Sequence, residues 1–356
     1  MNIPLHVKIR KHLRNKLYEL LHLFKKKQPD TLHYIDKKEI KHIVIIRPNY
    51  RIGNLIFLTP LINELQKELP EAKIDLIVGI QLAGNILQEM PNVENIYAIS
   101  RNLLKKPWQL YSFIHNIRKK RYDLALNITA GSVSSELATL LVHAKYKASF
   151  KHEKTFIPLT HTVNYEAKYL HAGSRPLELL KLFNIPLPDQ ALPLDIKLTQ
   201  EELKIGKEAL YETLKNTKDY SFVIVFFRNA RFDKKLDDTW WQQYYETLKK
   251  IDNKLVVIDI LSPDIPQKLN NEVLEYSNKN LRILGAFFQA CNLYVSADTG
   301  PLHLACASKA KVVALFNKTN PDIYGTLGKE NLTLDIESYS QEEIASITYK
   351  QLRKIK

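Results

Sequence analysis

Short runs of consecutive aliphatic and β-branched residues, each followed by a helix-length stretch, recur along this chain in two successive series. An unalternating apolar run of this kind fits a strand buried on both faces, and strands that alternate with helices build parallel sheets. In the first series Ile43-Val44-Ile45-Ile46, residues 74–78, Leu124-Ala125-Leu126-Asn127 and residues 146–150 read as strands. Helical stretches fall over 55–69 and 132–143, and Pro60 implies that the first starts regularly only with Thr59 as N-cap and Pro60 at its first position. In the second series residues 222–227, 255–258, 293–296 and 312–316 read as strands, with helices over 238–250 and 301–307. Between the series lies a Pro-rich stretch, 184–200, with the composition of a linker. With 356 residues the chain is too long for one ordinary core. The expectation is therefore α/β, two Rossmann-like domains facing a central cleft, the first over 42–190 and the second over 191–335. Residues 336–356 form a closing helix that could return to the N-terminal domain.

Charge is uneven. The formal net charge is +14, and residues 1–42 carry eleven Lys and Arg against four Asp and Glu, half of that excess. Over 5–24 apolar residues recur every three to four positions with Lys8, Arg10, Lys11, Arg14 and Lys16 between them. Residues 1–41 thus read as a basic amphipathic helical leader, suited to an anionic membrane surface or to packing on the body of the protein. No zinc-finger spacing, RNA-binding aromatic signature or helix-turn-helix pattern accompanies the charge, so nucleic acid is not the expected partner. The sequence has no apolar run of membrane-spanning length and no secretory core. Two cysteines, Cys291 and Cys306, do not make a disulfide framework, and a cytoplasmic setting is expected.

The strongest chemical signal is Ser296-Ala297-Asp298-Thr299-Gly300-Pro301-Leu302-His303-Leu304-Ala305, which leaves a strand and opens a helix. Thr299 or Gly300 can cap that helix, and Pro301 fits its first turn. Gly300 lets a bulky anion approach the backbone, and bare amides at a helix start favour phosphate. Asp298 adds a carboxylate suited to sugar hydroxyls. The plainer reading is a capped helix start with Asp298 bonding its own backbone.

With Val312-Val313-Ala314-Leu315-Phe316 and Asn317-Lys318-Thr319-Asn320-Pro321 behind it, this string resembles the C-terminal signature of glycosyltransferase family 9, the heptosyltransferases of the lipopolysaccharide inner core. The N-terminal half resembles the same family through Ile43–Arg47, Arg51-Ile52-Gly53-Asn54, Leu58-Thr59-Pro60-Leu61 and Ala72–Asp75. The resemblance implies a GT-B fold and an inverting transferase that moves a sugar, heptose by family default, from a nucleotide-diphosphate donor to a lipopolysaccharide core acceptor. It implies no cofactor and no metal beyond that donor, ADP-heptose in the family. Asp298 would contact the donor sugar, Thr299 and Gly300 the diphosphate, and His303 the nucleotide side. Lys234 would meet the donor phosphates, with Lys235 and Arg231 as rivals. Arg47, Arg51 and Gly53 line the acceptor loop, where guanidinium groups suit an anionic glycolipid. A monomer at the cytoplasmic face of the inner membrane is the expected setting.

One departure matters. The family's general base, an Asp, is Asn54 here, and an amide takes no proton at neutral pH. The base could instead be Asp298 or a cleft histidine such as His171. Asn54 could merely orient the hydroxyl in a loose transition state, or cap the helix that begins at Leu55. The chain could also be a binder of nucleotide sugar or glycolipid without turnover, or another GT-B enzyme such as a sugar-nucleotide epimerase.

Overall fold

The computed structural model of the chain describes residues 33–99, 106–231, 234–328 and 330–354, with His12, Lys16, Glu19, Leu20, Pro29 and Leu103 besides. Of the leader helix expected over 5–24, only His12, Lys16, Glu19 and Leu20 are described, and these are helical; the rest of it lies outside the described residues.

Two six-stranded, wholly parallel sheets form the molecule. The first comprises β1 (His42–Arg47), β2 (Lys73–Val78), β3 (Val93–Ala98), β4 (Arg121–Asn127), β5 (His143–Phe150) and β6 (His161–Val163). Their spatial order is β3-β2-β1-β4-β5-β6. The second comprises β7 (Val223–Phe227), β8 (Val256–Ile260), β9 (Leu274–Tyr276), β10 (Leu293–Ala297), β11 (Val312–Phe316) and β12 (Leu332–Asp335). Its order, β12-β11-β10-β7-β8-β9, is the same winding repeated. Strand order therefore reverses between β1 and β4 and again between β7 and β10, and such switch points are where open α/β sheets bind ligands, beyond the strand carboxyl ends. The apolar runs of β1, β7, β10 and β11 are buried on both faces, as their unalternating sequences require.

After β1 the chain makes two helices, not one: α1 (Ile52–Ile56) and α2 (Thr59–Glu68). Thr59 is not the N-cap; Leu58 holds that place, and the Thr59 hydroxyl donates to the carbonyl of Ile56 at 2.8 Å. Asn54 does not cap either, since α1 begins at Ile52 with Arg51 as N-cap. Further helices are α3 (Pro107–Lys119), α4 (Val133–Leu141), α5 (Gln200–Leu214), α6 (Asp238–Ile251), α7 (Leu281–Ala290), α8 (Gly300–Ala307), α9 (Pro321–Tyr324) and α10 (Gln341–Lys354), with a single turn at Gln81–Gly84 and short 3-10 segments, among them Arg175–Phe183, besides. Asp237 caps α6 by accepting from the amide of Trp240. Residues 184–199, the expected linker, contain no regular element.

The expectation that the closing helix returns to the N-terminal half is corrected. Helix α10 packs on α6 of the second half: Ile344, Ala345 and Leu352 join a core with Phe226, Trp241 and Tyr244, and the Tyr244 and Thr348 hydroxyls meet at 2.7 Å. Its apolar face matches the aromatic face of α6, so burial is completed within one half.

Arg282, at the start of α7 and only 2% exposed, ties the halves together. Its guanidinium donates to the carbonyl of Ile86 in the first half (2.7 Å), to those of Ile196 and Lys197 in the linker (2.9 Å each), and to both carboxylate oxygens of Glu202 (2.6 and 2.7 Å). Replacing it would leave three carbonyls without this donor and the half-buried Glu202 carboxylate with only the Thr199 amide. Arg282→Ala is expected to cost roughly 3–5 kcal/mol, read as a lower urea midpoint. An unchanged midpoint would show that the linkage is dispensable.

Candidate active site

The carboxyl ends of the two switch points face each other. From the second sheet, β10 delivers Asp298, which is 8% exposed. Lys234, in the segment that follows β7, pairs with its Oδ2, and the Thr319 hydroxyl donates to the same oxygen at 2.7 Å. His303 Nε2 lies 3.6 Å from Oδ1, close enough for electrostatic attraction but too far for a good hydrogen bond. Burial alone would raise the pKa of Asp298. The neighbouring His303, Lys234 and Thr319 outweigh it and hold the carboxyl at about 2. Asp298 thus bonds side chains from two distant segments, with His303 close by, and is more than a local turn-former.

Thr299 is the N-cap of α8, its hydroxyl accepting from the amide of Leu302 at 3.3 Å, and Gly300 and Pro301 begin the helix. Gly300 does not open onto empty space. A Cβ there would lie 3.3 Å from Ile52 Cβ and 3.5 Å from Gly53 N, so its smallness admits the start of α1 from the other half. Gly53 meets the second half still more tightly: a Cβ on it would sit 2.6 Å from His303 Cδ2. The His303 ring is held from behind by Phe57, with centroids 4.6 Å apart. Gly53, Gly300 and His303 are therefore seam residues, brought together with Asp298 by the approach of α1 and α8.

Lys234 is the described cation that reaches Asp298; Lys235 and Arg231 are exposed. On the first sheet Arg47 ends β1, half-buried, with its Nε unbonded. Burial and then the nearby Arg175 pull Arg47 down to about 10, so it remains a cation. Arg51 is exposed, its amide donating to the Asn49 side chain at 2.8 Å. Asn54 is half-buried in α1, and its side chain makes no hydrogen bond to any described residue. Thr319 and Arg175 escaped the sequence reading. Thr319 had a signal, since it is the central residue of the Asn317–Pro321 run; Arg175 had none.

Two candidate bases are removed. His171 is 5% exposed, with Nε2 bonded to the Gly325 carbonyl at 3.0 Å and Nδ1 accepting from the Gly173 amide at 3.1 Å. Both nitrogens are committed, and desolvation lowers its pKa to about 4. Asp298 is too acidic and too fully paired to accept a proton readily. A cavity of about 500 Å³ lies elsewhere, lined by Tyr220, Val256 and Val257 at the amino ends of β7 and β8. Two of the lysines lining it are already engaged: Lys249 with the Leu255 carbonyl at 3.0 Å, and Lys254 with Asp219 at 2.7 Å.

Gly53→Ala should drive the His303 ring off its place beside Asp298 and lower kcat by roughly 10²-fold, the scale of a 1 Å misplacement. An unchanged kcat would show that the seam yields harmlessly. His171 has a folded pKa of about 4, below the ordinary 6.5, so on acidification the unfolded chain takes up this proton first. Its contribution, roughly 3 kcal/mol, is full above about pH 6.5 and is lost as pH falls through about 4. Urea midpoints across that window should fall for the wild type and fall less for His171→Gln.

The profile of glycosyltransferase family 9 (heptosyltransferase) matches residues 110–348. Lipopolysaccharide heptosyltransferase 3 of Escherichia coli strain K12 is 25% identical over 289 residues, 75% of this chain and 80% of the relative. A family 9 glycosyl transferase from Veillonella parvula shares the fold, with a TM-score of 0.73 at 18% identity over 88% of this chain and 97% of that one. E. coli heptosyltransferase WaaC with ADP shares it too, with a TM-score of 0.69 at 19% identity over 87% and 99%. The two doubly wound sheets are those of a GT-B enzyme, and the chain belongs to glycosyltransferase family 9 (heptosyltransferase).

Proposed function

We propose that the chain transfers heptose, with inversion, from ADP-heptose to an anionic glycolipid of the lipopolysaccharide core. The observation that carries this reading is the Lys234–Asp298–Thr319 cluster beside the N-terminus of α8 at the switch point of the second sheet. A nucleoside diphosphate leaving from a sugar gathers negative charge, and a positioned cation with a helix start stabilises it. Asp298 holds Lys234 in place and offers its carboxylate to a sugar hydroxyl. Thr299 and Gly300 give the phosphates the backbone of the helix start, and His303 bounds the donor side at the seam. The relative named lipopolysaccharide heptosyltransferase 3 supports the choice of sugar and acceptor.

The acceptor docks on the first sheet, within a domain spanning about 42–190, where Arg47 and Arg51 attract its anionic groups. Asn54 orients the attacking hydroxyl in a loose transition state, since His171 and Asp298 are both committed. Losing general-base help costs roughly 10²–10⁴-fold in rate and need not abolish turnover. No helix among the described residues is long and apolar enough to cross a membrane. The enzyme works as a monomer, peripherally, at the cytoplasmic face of the inner membrane.

The test is release of ADP from ADP-heptose in the presence of purified core oligosaccharide. Asp298→Ala should lower kcat/KM by roughly 10²–10³-fold, and Lys234→Ala should weaken donor binding in a titration. If both variants match the wild type, the donor site lies elsewhere. Tight donor binding without transfer to any core acceptor would make the chain a binder, the reading that Asn54 favours. Asn54→Asp reports on that position: a faster enzyme means a missing base, and a slower one means a role for the amide.

A further inference from the structure

Helix α3 is an unusual surface element. Of its side chains only that of Ile117 is buried, while Trp108 is 85% exposed and Tyr111 is 65% exposed. A large aromatic left in water on a helix that has a buried face available calls for a ligand or a surface. Residues 101–121 also carry seven Lys and Arg and no Asp or Glu.

Topology sets where this aromatic end lies. All strands of the first sheet are parallel, so every segment that follows a strand emerges at the same edge. Helix α3 follows β3 and leads back to the start of β4, so its Pro107–Tyr111 end lies at the carboxyl edge, where Arg47, Arg51 and Asn54 follow β1. Other apolar groups appear at that edge: Ile80 and Leu82, 36% and 49% exposed, follow β2. The Tyr50 hydroxyl donates to the Ile99 carbonyl at 3.2 Å, tying the exit of β1 to the exit of β3.

We propose that this end of α3 is a membrane anchor, in which Trp108 and Tyr111 enter the headgroup layer of an anionic bilayer while the flanking cations hold its surface. Trp and Tyr prefer that layer because each joins an apolar ring to a polar tip. Arg118 to Arg121 lie at the far end of α3, where Lys120 pairs with Asp75 at 2.8 Å; Arg101, Lys105 and Lys106, just before Trp108 in a stretch without Asp or Glu, add attraction to anionic lipids. Charge complementarity decides the occupant: a water-exposed aromatic pair preceded by Arg101, Lys105 and Lys106, on a chain of net charge +14, matches an anionic leaflet better than it matches a second copy of this basic chain. The anchor is separate from the leader and sits at the acceptor edge, so it would present the glycolipid headgroup to the cleft. It rests on the proposed glycolipid acceptor only in that last step.

The experiment is co-sedimentation of the full chain with vesicles of phosphatidylethanolamine and phosphatidylglycerol, compared with pure phosphatidylcholine. The double variant Trp108→Ser, Tyr111→Ser alters two exposed side chains. It should bind the anionic vesicles roughly tenfold more weakly and still transfer sugar to a soluble, delipidated acceptor at the wild-type rate. Wild-type fluorescence should shift to the blue on vesicle addition, and a Trp108→Phe variant should lose most of that shift. Equal sedimentation of variant and wild type would overturn the proposal and leave the leader as the anchor. Loss of vesicle binding by neither protein, with a smaller apparent mass for the variant in gel filtration, would overturn it in favour of self-association. If the wild type fails to act on the soluble acceptor, the proposed function fails while the vesicle result is read on its own.

Discussion

The site depends on the close approach of two helix starts, α1 from the first sheet and α8 from the second. Gly53 and Gly300 carry no side chain where the helices meet, which lets them approach this closely. A Cβ on Gly53 would fall 2.6 Å from His303 Cδ2, and one on Gly300 would crowd Ile52. Phe57 closes the seam from behind by packing on His303 and edge-on to His171. Arg282 holds the same two halves together some distance along the chain, through the carbonyl of Ile86 and the linker. Residues 300–303 therefore belong to the contact between the halves and to the turn after β10 at once, so relative placement of the halves and geometry of the turn are coupled.

The electrostatics of the two faces differ in kind. On the second sheet a nearly buried carboxylate stays ionised because Lys234 and Thr319 share one oxygen and His303 approaches the other. Such an arrangement is preorganised: the dipoles and charges are fixed by packing before any ligand arrives. On the first sheet Arg47 and Arg175 are like charges brought close, with Arg175 stacked 4.6 Å over Tyr165 and the Arg47 Nε unbonded. Like charges held together in a half-buried place favour an anion between or beside them.

Much of this was legible in residues alone. The unalternating strands β1, β7, β10 and β11 declared a parallel sheet because burial on both faces leaves no polar position. Lys234 was identified among three cations by its place in a motif, and it is the one that reaches Asp298. The misses have physical causes. Thr59 looks like a cap by type, but its hydroxyl is turned back onto the Ile56 carbonyl, and the chain had already begun a separate short helix at Ile52. His171 looks like a base by type, but the Gly325 carbonyl, far away in sequence, occupies one nitrogen. Strand β3 and helices α5 and α7 were not read at all; β3 is as long as β1 but only half-buried, with no run of buried residues to mark it.

What the sequence by itself determined is whatever depends on neighbours along the chain: the strand runs, the capped start of α8 at Thr299, the basic leader, and the absence of an Asp where Asn54 stands. Those properties follow from side-chain type and spacing, which act over a few residues. Only the tertiary structure decided which histidine touches the carboxylate, which glycine admits the opposite domain, and where helix α10 finds its partner. Each of those is a contact between segments distant in sequence, set by how two sheets pack, and no local pattern encodes it.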